Sequence, residues 1–235
     1  MNRTIAVADL HGMYPLWRQV IESLDETDIL YVLGDCGDRG HEGWKIIKEA
    51  LADSRVVYIR GNHDQMILDS WREEWRGRDF DLWMYNGGWE TFDNMLMDER
   101  HEIYLTQLAR TKLYHCYENK NGQNIHLSHA GFTLMEIDEI PNREELLWDR
   151  EHIEDTCSWW PETNPNDYVV HGHTYCGNSL FKRIETNLND TRTVGRYCHG
   201  HKICIDGRTY GYGRCAVLDL DTLTEEIFRI PNFIS

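Results

Sequence analysis

Three short segments early in the chain hold residues that can bind metal and handle phosphate: Asp9-Leu10-His11-Gly12, Gly34-Asp35-Cys36-Gly37-Asp38-Arg39-Gly40 and Gly61-Asn62-His63-Asp64. Each follows an apolar, β-branched run, so each delivers its polar groups where a strand ends. Two later segments add one histidine each: His129 in Leu127-Ser128-His129-Ala130-Gly131, and His173 in Val170-His171-Gly172-His173-Thr174. A mixed His, Asp and Asn set suits Mn²⁺, Fe or Zn²⁺ better than Mg²⁺ or Ca²⁺, which favour oxygen. Two such ions about 3.5–4 Å apart can hold a phosphoryl group and acidify a bridging water. A lone Asp-x-His or Gly-Asn-His is mostly a turn or loop. All five segments, in this order and each after a strand, predict a two-metal phosphoesterase site.

The residue types suggest a division of labour. Asp9 and His11 are two apart and would share a face of extended chain. Asp35 has two oxygens and is the natural bridge between metals. Asn62 leaves the third strand as a further ligand. His63 follows it directly, so its ring is expected on the other side, placed to protonate a leaving oxygen. Asp38 can orient and charge-stabilise that imidazole. Arg39 can fork onto phosphate oxygens.

These groups need a sheet to bring them together. Ile5-Ala6-Val7, Ile29 to Leu33 and Val56-Val57-Tyr58-Ile59 read as buried strands. Between them lie two helical patterns: Leu16, Trp17, Val20, Ile21 and Leu24 behind Pro15, then Trp44, Ile47 and Leu51. This β-α-β-α-β order implies right-handed crossovers and a parallel core. Ligands then converge at the C-terminal ends of neighbouring strands. Residues 64 to 110 read as helices and a cap. Strands return at Lys112 to Tyr117 and Ile125 to Ser128 around an Asn121-Gly122 turn, and again at Tyr168-Val169-Val170. Residues 141 to 167, with Trp159-Trp160-Pro161, look irregular and polar. Ile203 to Ile205, Cys215 to Leu220 and Glu226 to Ile230 read as antiparallel strands. The expected fold class is α/β: one domain, 1–235, with two packed sheets and helices outside.

Bulk properties exclude several classes. The 235 residues carry a net charge of −16, which argues against tight binding to long nucleic acid. Seven scattered cysteines form no CxxC pair, so reduced thiols in a cytoplasmic protein are expected. Met1-Asn2-Arg3-Thr4 runs straight into a strand, and no apolar stretch has the length of a membrane span, so neither a signal peptide nor a membrane partner is expected. Oligomeric state is not legible.

Together the motifs resemble the calcineurin-like metallophosphoesterases, and within them the phosphoprotein phosphatase family. Asp9 to Gly12, Gly34 to Gly40 and Gly61 to Asp64 look like the three family blocks. Asn86-Gly87-Gly88-Trp89, Leu147-Trp148-Asp149-Arg150-Glu151, Gly172-His173-Thr174 and Ile205-Asp206 extend the resemblance to the bacterial and phage branch typified by lambda phosphatase. The resemblance implies a central β-sandwich of two mixed sheets flanked by helices. It implies one metal held by Asp9, His11 and Asp35, and a second held by Asp35, Asn62, His129 and His173. It makes His63 with Asp38 the acid pair, and Arg39 and Arg150 the phosphate clamps. It also implies two divalent metal ions, Mn²⁺ first with Fe or Zn as alternatives, and direct attack by a metal-bridging water. Ala8 stands where the family usually has Gly, Gly37 where an apolar residue is common, and Asp64 where protein phosphatases commonly have Glu. Asp64 is frequent in diadenosine tetraphosphatases.

The expected activity is therefore hydrolysis of phosphoserine and phosphothreonine monoesters, with phosphotyrosine and small phosphoesters within reach. A nucleotide hydrolase on the same scaffold, either a diadenosine tetraphosphatase or a cyclic-nucleotide phosphodiesterase, is the alternative, and an inactive binding module a remote one. Other tempting residues are expected to be structural. Cys198-His199-Gly200-His201 with Cys204 fits no standard zinc spacing. His115, His126 and His171 read as packing residues, Trp71, Trp75, Trp83 and Trp89 as core and cap, and Cys36 as a buried thiol. Tyr210 and Tyr212 are expected near the mouth of the site.

Overall fold

The computed structural model describes residues 2–133, 141–154, 165–184 and 186–233. The first sheet holds β1 (Thr4–Val7), β2 (Ile29–Val32) and β3 (Val56–Tyr58), paired in parallel, with β10 (Arg214–Asp219) and β11 (Glu225–Arg229) added antiparallel. Its order is β11-β10-β1-β2-β3. The second sheet runs β4-β5-β6-β9-β8-β7, from β4 (Tyr114–Glu118), β5 (Asn124–Ser128), β6 (Asp167–His171), β7 (Asn187–Leu188), β8 (Gly195–Tyr197) and β9 (Lys202–Cys204). Both sheets are mixed, and helices cover the first one, as expected.

Alternation of side chains explains the layering. Along β1 and β2, Ile5, Val7, Leu30 and Val32 face the helices, while Ala6, Tyr31 and Leu33 face the second sheet. There they meet Ile125, Leu127, Val170 and Ile203. Both faces of the parallel strands are thus buried, which is why they read as continuous apolar runs. On the helix side lie α1 (Tyr14–Glu22), opened by Pro15, and α2 (Gly43–Ala52), with Leu16, Trp17, Trp44, Ile46 and Ile47 in the core. Then come α3 (Asn62–Arg72), α4 (Gly77–Tyr85), α5 (Trp89–Leu96) and α6 (His101–Ala109).

Two expectations need correction. The Ile203 segment does not join the antiparallel tail: β9 pairs in parallel with β6 and antiparallel with β8, in the second sheet. Strand pattern shows which residues are buried but not which strand is the neighbour. The stretch from 141 is not wholly irregular either. It contains α7 (Arg143–Trp148) and α8 (Glu151–Glu154). Asn142 caps α7 by accepting from the amides of Glu144 and Glu145, and Glu145 reaches back to the Asn142 amide. Trp159-Trp160-Pro161 lies outside the described residues. A last short helix, α9 (Thr209–Tyr212), precedes β10. Among the described residues, no helix is long and apolar enough to cross a membrane.

Helix α2 starts directly after the Asp35–Gly40 loop, so its seating matters for the site. The Trp44 indole (3.2 Å) and Lys48 Nζ (2.6 Å), both on α2, donate to Asp98 Oδ2, and the Arg100 amide donates to Oδ1 (3.0 Å). Burial works to raise the Asp98 carboxyl, but the Lys48, Arg100 and Trp44 donors outweigh it and pull it down to about 2. The folded value lies below the unfolded one, so this stabilisation is present above about pH 4 and fades as pH falls toward 2. Asp98→Asn should cost about 2 kcal/mol in denaturant unfolding near neutral pH. The deficit relative to the native chain should shrink as pH falls; one constant with pH would contradict this linkage.

Candidate active site

The loops after β1 and β2 continue the parallel pairing by backbone. The amides of Asp9, His11 and Gly12 donate to the carbonyls of Gly34 (3.2 Å), Asp35 (2.9 Å) and Cys36 (2.8 Å). Six of the ten expected site residues have left-handed backbone: Asp9 (φ 52), His11 (φ 41), Asp35 (φ 55), Asp38 (φ 64), Arg39 (φ 65) and His173 (φ 63). Such conformations cost energy in non-glycine residues and persist where the surroundings over-determine them. Asp9 and His11 therefore converge through curled loop, not through the extended pleat expected from their spacing. Two glycines let backbone close on the carboxylates. A Cβ on Gly61 would collide with Asp35 Oδ1, and one on Gly172 with Asp9 Oδ2. The His173 amide uses that closeness to donate to Asp9 Oδ2 at 2.9 Å.

Asp35 is the centre. Its Oδ2 lies 3.3 Å from His129 Nε2, 3.9 Å from His11 Nε2 and 4.0 Å from His63 Nε2. Its Oδ1 accepts from the His63 amide at 3.0 Å. Two groups of closely spaced ligand atoms share it: His11, Asp35 and His63, and Asp35, His129 and His173. Asp9 Oδ1 stands 3.9 Å from His11 Nε2. Asn62 Oδ1 joins the second group, 2.8 Å from His129 Nε2 and 3.0 Å from His173 Nδ1.

His63 departs from expectation in direction. Its ring does not point away from Asn62's side, but into the same chamber. Both residues open α3, where successive side chains turn by about 100° and not by the half-turn of a strand. His63 Nδ1 is 2.6 Å from Asp38 Oδ2, the expected pair. Asp38 is fully buried, and the Trp83 indole N–H reaches both its oxygens (3.0 and 2.9 Å). The Asp38 amide donates to Thr91 Oγ1 at 2.7 Å. Trp83 and Thr91 were not legible as site residues: a tryptophan amid apolar neighbours reads as core. Trp83 is indeed packed against Trp75, Phe80 and Phe92, but its one polar atom serves Asp38.

The cleft above this chamber, about 310 Å³, is lined by His11, Arg39, Arg150, His173, Asp206 and Tyr210 among others. Arg39 donates to His11 Nε2 (2.6 Å) and to His63 Nε2 (3.0 Å). Arg150, carried by the turn between α7 and α8, comes to the same cleft. Asp206 was part of a resembling segment without an assigned role. The signal was present, because it follows an apolar run as the other ligands do. Burial and the Asp35 charge push its carboxyl up to about 6 against the pull of the Arg208 amide, Arg39 and His129.

The donor set fits metal. His11 Nδ1 donates to the Gly37 carbonyl (2.9 Å) and His129 Nδ1 to the Leu33 carbonyl (2.7 Å), so each Nε2 faces Asp35. This arrangement is typical of metal-binding histidines. Burial and Arg39 hold His11 well below its ordinary range, and burial and His129 do the same for His173, which leaves those two imidazoles neutral. Against burial, the Asp35 charge pulls His129 up to about 9, so an ion bound there would displace its proton. Burial, Asp206 and Asp35 push the Asp9 carboxyl well up. Divalent cations would relieve that crowding of buried carboxylates.

Asp64 does not face the cleft. Its Oδ2 accepts from the amides of Asp35 (3.1 Å) and Gly61 (2.9 Å), and its Oδ1 from the Tyr58 hydroxyl (3.0 Å). It braces the backbone around Asp35, so its identity does not bear directly on substrate. Cys36 is buried and burial raises its thiol, as expected of an unreactive group. His171 is buried against the Tyr197 hydroxyl (2.8 Å), His126 binds Asp167 (2.9 Å), and His115 stacks on Tyr31. The Cys198–Cys204 segment gathers no ligand set among the described residues. Cys204 donates to the Thr174 carbonyl and His201 stacks on Tyr168. Cys198 is disulfide-bonded, unlike the reduced thiols expected, whereas Cys36, Cys116, Cys176, Cys204 and Cys215 are free.

Known proteins resemble this chain in sequence and fold. The chain is 24% identical over 153 residues to serine/threonine-protein phosphatase 1 of Salmonella typhimurium, covering 63% of this chain and 68% of that protein. It is 32% identical over 69 residues to the symmetrical bis(5'-nucleosyl)-tetraphosphatase of Buchnera aphidicola, a match over 28% of this chain and 25% of that one. Among solved structures, a Saccharomyces cerevisiae protein serine/threonine phosphatase superposes with a TM-score of 0.59 at 14% identity, over 99% of this chain and 81% of that chain. At that identity the likeness concerns the fold alone. The sequence model of the calcineurin-like phosphoesterases matches residues 3–202. The chain belongs to the calcineurin-like phosphoesterase family.

Proposed function

We propose that the protein is a metal-dependent phosphomonoesterase that hydrolyses phosphoserine and phosphothreonine in proteins, and accepts phosphotyrosine and small aryl phosphates. The observation that carries this reading is the Asp38–His63 pair set beside Arg39, with His63 in one of the two ligand groups that share Asp35. Asp9, His11 and Asp35 would hold one metal, and Asp35, Asn62, His129 and His173 the other, Mn²⁺ being the ion expected first. Bound there, divalent ions supply positive charge to phosphoryl oxygens and acidity to water.

The chain's own groups do the rest. Arg39 and Arg150 bind and orient the phosphoryl oxygens through their guanidinium forks. With Nδ1 committed to Asp38, His63 presents Nε2 to the chamber. Protonated there, it gives its proton to the leaving oxygen, while Asp38 offsets the imidazolium charge. The Trp83 indole fixes Asp38 in place.

The long match to the Salmonella phosphatase supports the protein-phosphatase reading. So does the placement of the tryptophans. Trp83 is buried and Trp75 packs beside it, and among the described residues no tryptophan lines the cleft, whose aromatic side chains are Tyr175 and Tyr210. The local match to the Buchnera enzyme favours a nucleotide hydrolase as the second reading. Turnover of a phosphothreonine peptide and of diadenosine tetraphosphate, each with Mn²⁺ restored after chelation, separates the two. The peptide is expected to be the better substrate; turnover of the dinucleotide alone would replace the first reading with the second.

His63→Asn should lower kcat by about 10²- to 10⁴-fold on a phosphothreonine peptide, whose alkoxide must be protonated. On a nitrophenyl phosphate, whose phenolate leaves unaided, the loss should be far smaller. Equal losses on both would remove His63 from the acid role. Trp83→Phe keeps the apolar packing and deletes the donor to Asp38. It should lower kcat on the phosphothreonine peptide by about tenfold, with KM little changed. A folded variant with unaltered kcat would show that the indole bond is packing alone.

A further inference from the structure

The cleft extends beyond the groups that a single phosphoryl needs. Arg39 and Arg150 suffice for a monoester. A third guanidinium, Arg208, lies at the outer end with Tyr175, Asn178 and Tyr210. Among the described residues, none of the three arginines is in an ion pair. This is notable in a chain of net charge −16, where a basic side chain has many acidic neighbours to choose from.

Arg208 is held for presentation. Its backbone is left-handed (φ 56), its amide donates to Asp206 Oδ1 at 2.7 Å, and its carbonyl accepts from the amides of Gly211 (3.0 Å) and Tyr212 (3.2 Å). The side chain is exposed. Its guanidinium carbon stands 5.9 Å from the Tyr210 ring centre, and that of Arg39 stands 5.3 Å from the same centre. The two cations are therefore within about 11 Å of each other, the reach of roughly three residues of extended chain.

We infer that this outer end, centred on Arg208, is a subsite for a second anionic group on the same phosphopeptide: an acidic side chain, or a second phosphorylated residue, within about three positions of the scissile phosphate. The inference rests on the phosphatase reading above. The Tyr210 ring is already engaged by Arg39 and Arg208, so that ring is not a bare stacking face. A local cluster of cations also gives an acidic substrate a favourable approach to an otherwise acidic protein.

The test uses the full chain with Mn²⁺ and three phosphothreonine peptides alike except at the flanking positions: alanine, aspartate, or phosphoserine. The native enzyme should prefer the aspartate peptide to the alanine peptide by about fivefold in kcat/KM, mainly through KM, with the phosphoserine peptide at least as good. Arg208→Asn suits the left-handed backbone and should bring that ratio close to one, and Arg208→Lys should restore part of it. A ratio that is one in the native enzyme, or that survives Arg208→Asn, overturns the subsite. So does an Arg208→Asn variant that keeps the peptide ratio and loses only turnover of diadenosine tetraphosphate, which would assign Arg208 to nucleotides. If no phosphopeptide is hydrolysed while nitrophenyl phosphate is, the phosphatase reading itself has failed.

Discussion

Asp35 Oδ2 faces three imidazole Nε2 atoms within 4.0 Å, and most of the structure serves to keep it there. A carboxylate so deeply buried carries a large desolvation cost unless opposite charge surrounds it. Here the charges of His129 and His63 outweigh that cost and hold Asp35 well below the usual carboxylate range. Its backbone is curled into the left-handed region, its amide is tied to Asp64, and its Oδ1 is tied to the amide that opens α3. Parallel strands β1, β2 and β3 bring these loops to one edge, and β5 and β6 bring His129 and His173 to the same edge from the other sheet.

The layering then sorts the polar groups by task. Carboxylates and imidazoles that could share metal lie at the floor, buried and close. Arginines that could hold phosphate stand above them in the cleft. Asp38 lies to one side, outside the metal-ligand groups, where Trp83 and His63 claim its oxygens. The separation matters chemically. Asp38 keeps its oxygens for His63 and Trp83, and Asp35 is left to the ligand groups.

Much of this was legible in the sequence because short apolar runs end in ligands. Strands β1 to β3 and the groups at their exits read directly, and the convergence of His129 and His173 followed from the same rule. What escaped had physical causes. The direction of His63 depends on helix α3 starting at Asn62, two residues before the helical stretch read from residue 64. The parallel pairing of β9 with β6 is a long-range choice that period-two patterning leaves open. The indole of Trp83 looks apolar in any pattern, and its single N–H decides its role. Asp64 looked like a clue to substrate because it varies between relatives, yet its oxygens are spent on backbone amides and on Tyr58.

The central claim is that one buried carboxylate bridges two cations. Electron paramagnetic resonance of the chain, stripped by chelation and then titrated with Mn²⁺, tests it most directly. The account predicts two ions per chain and, at saturation, the multiline spectrum of a spin-coupled pair. A single tightly held ion, or two ions with the six-line spectrum of isolated Mn²⁺, would contradict it.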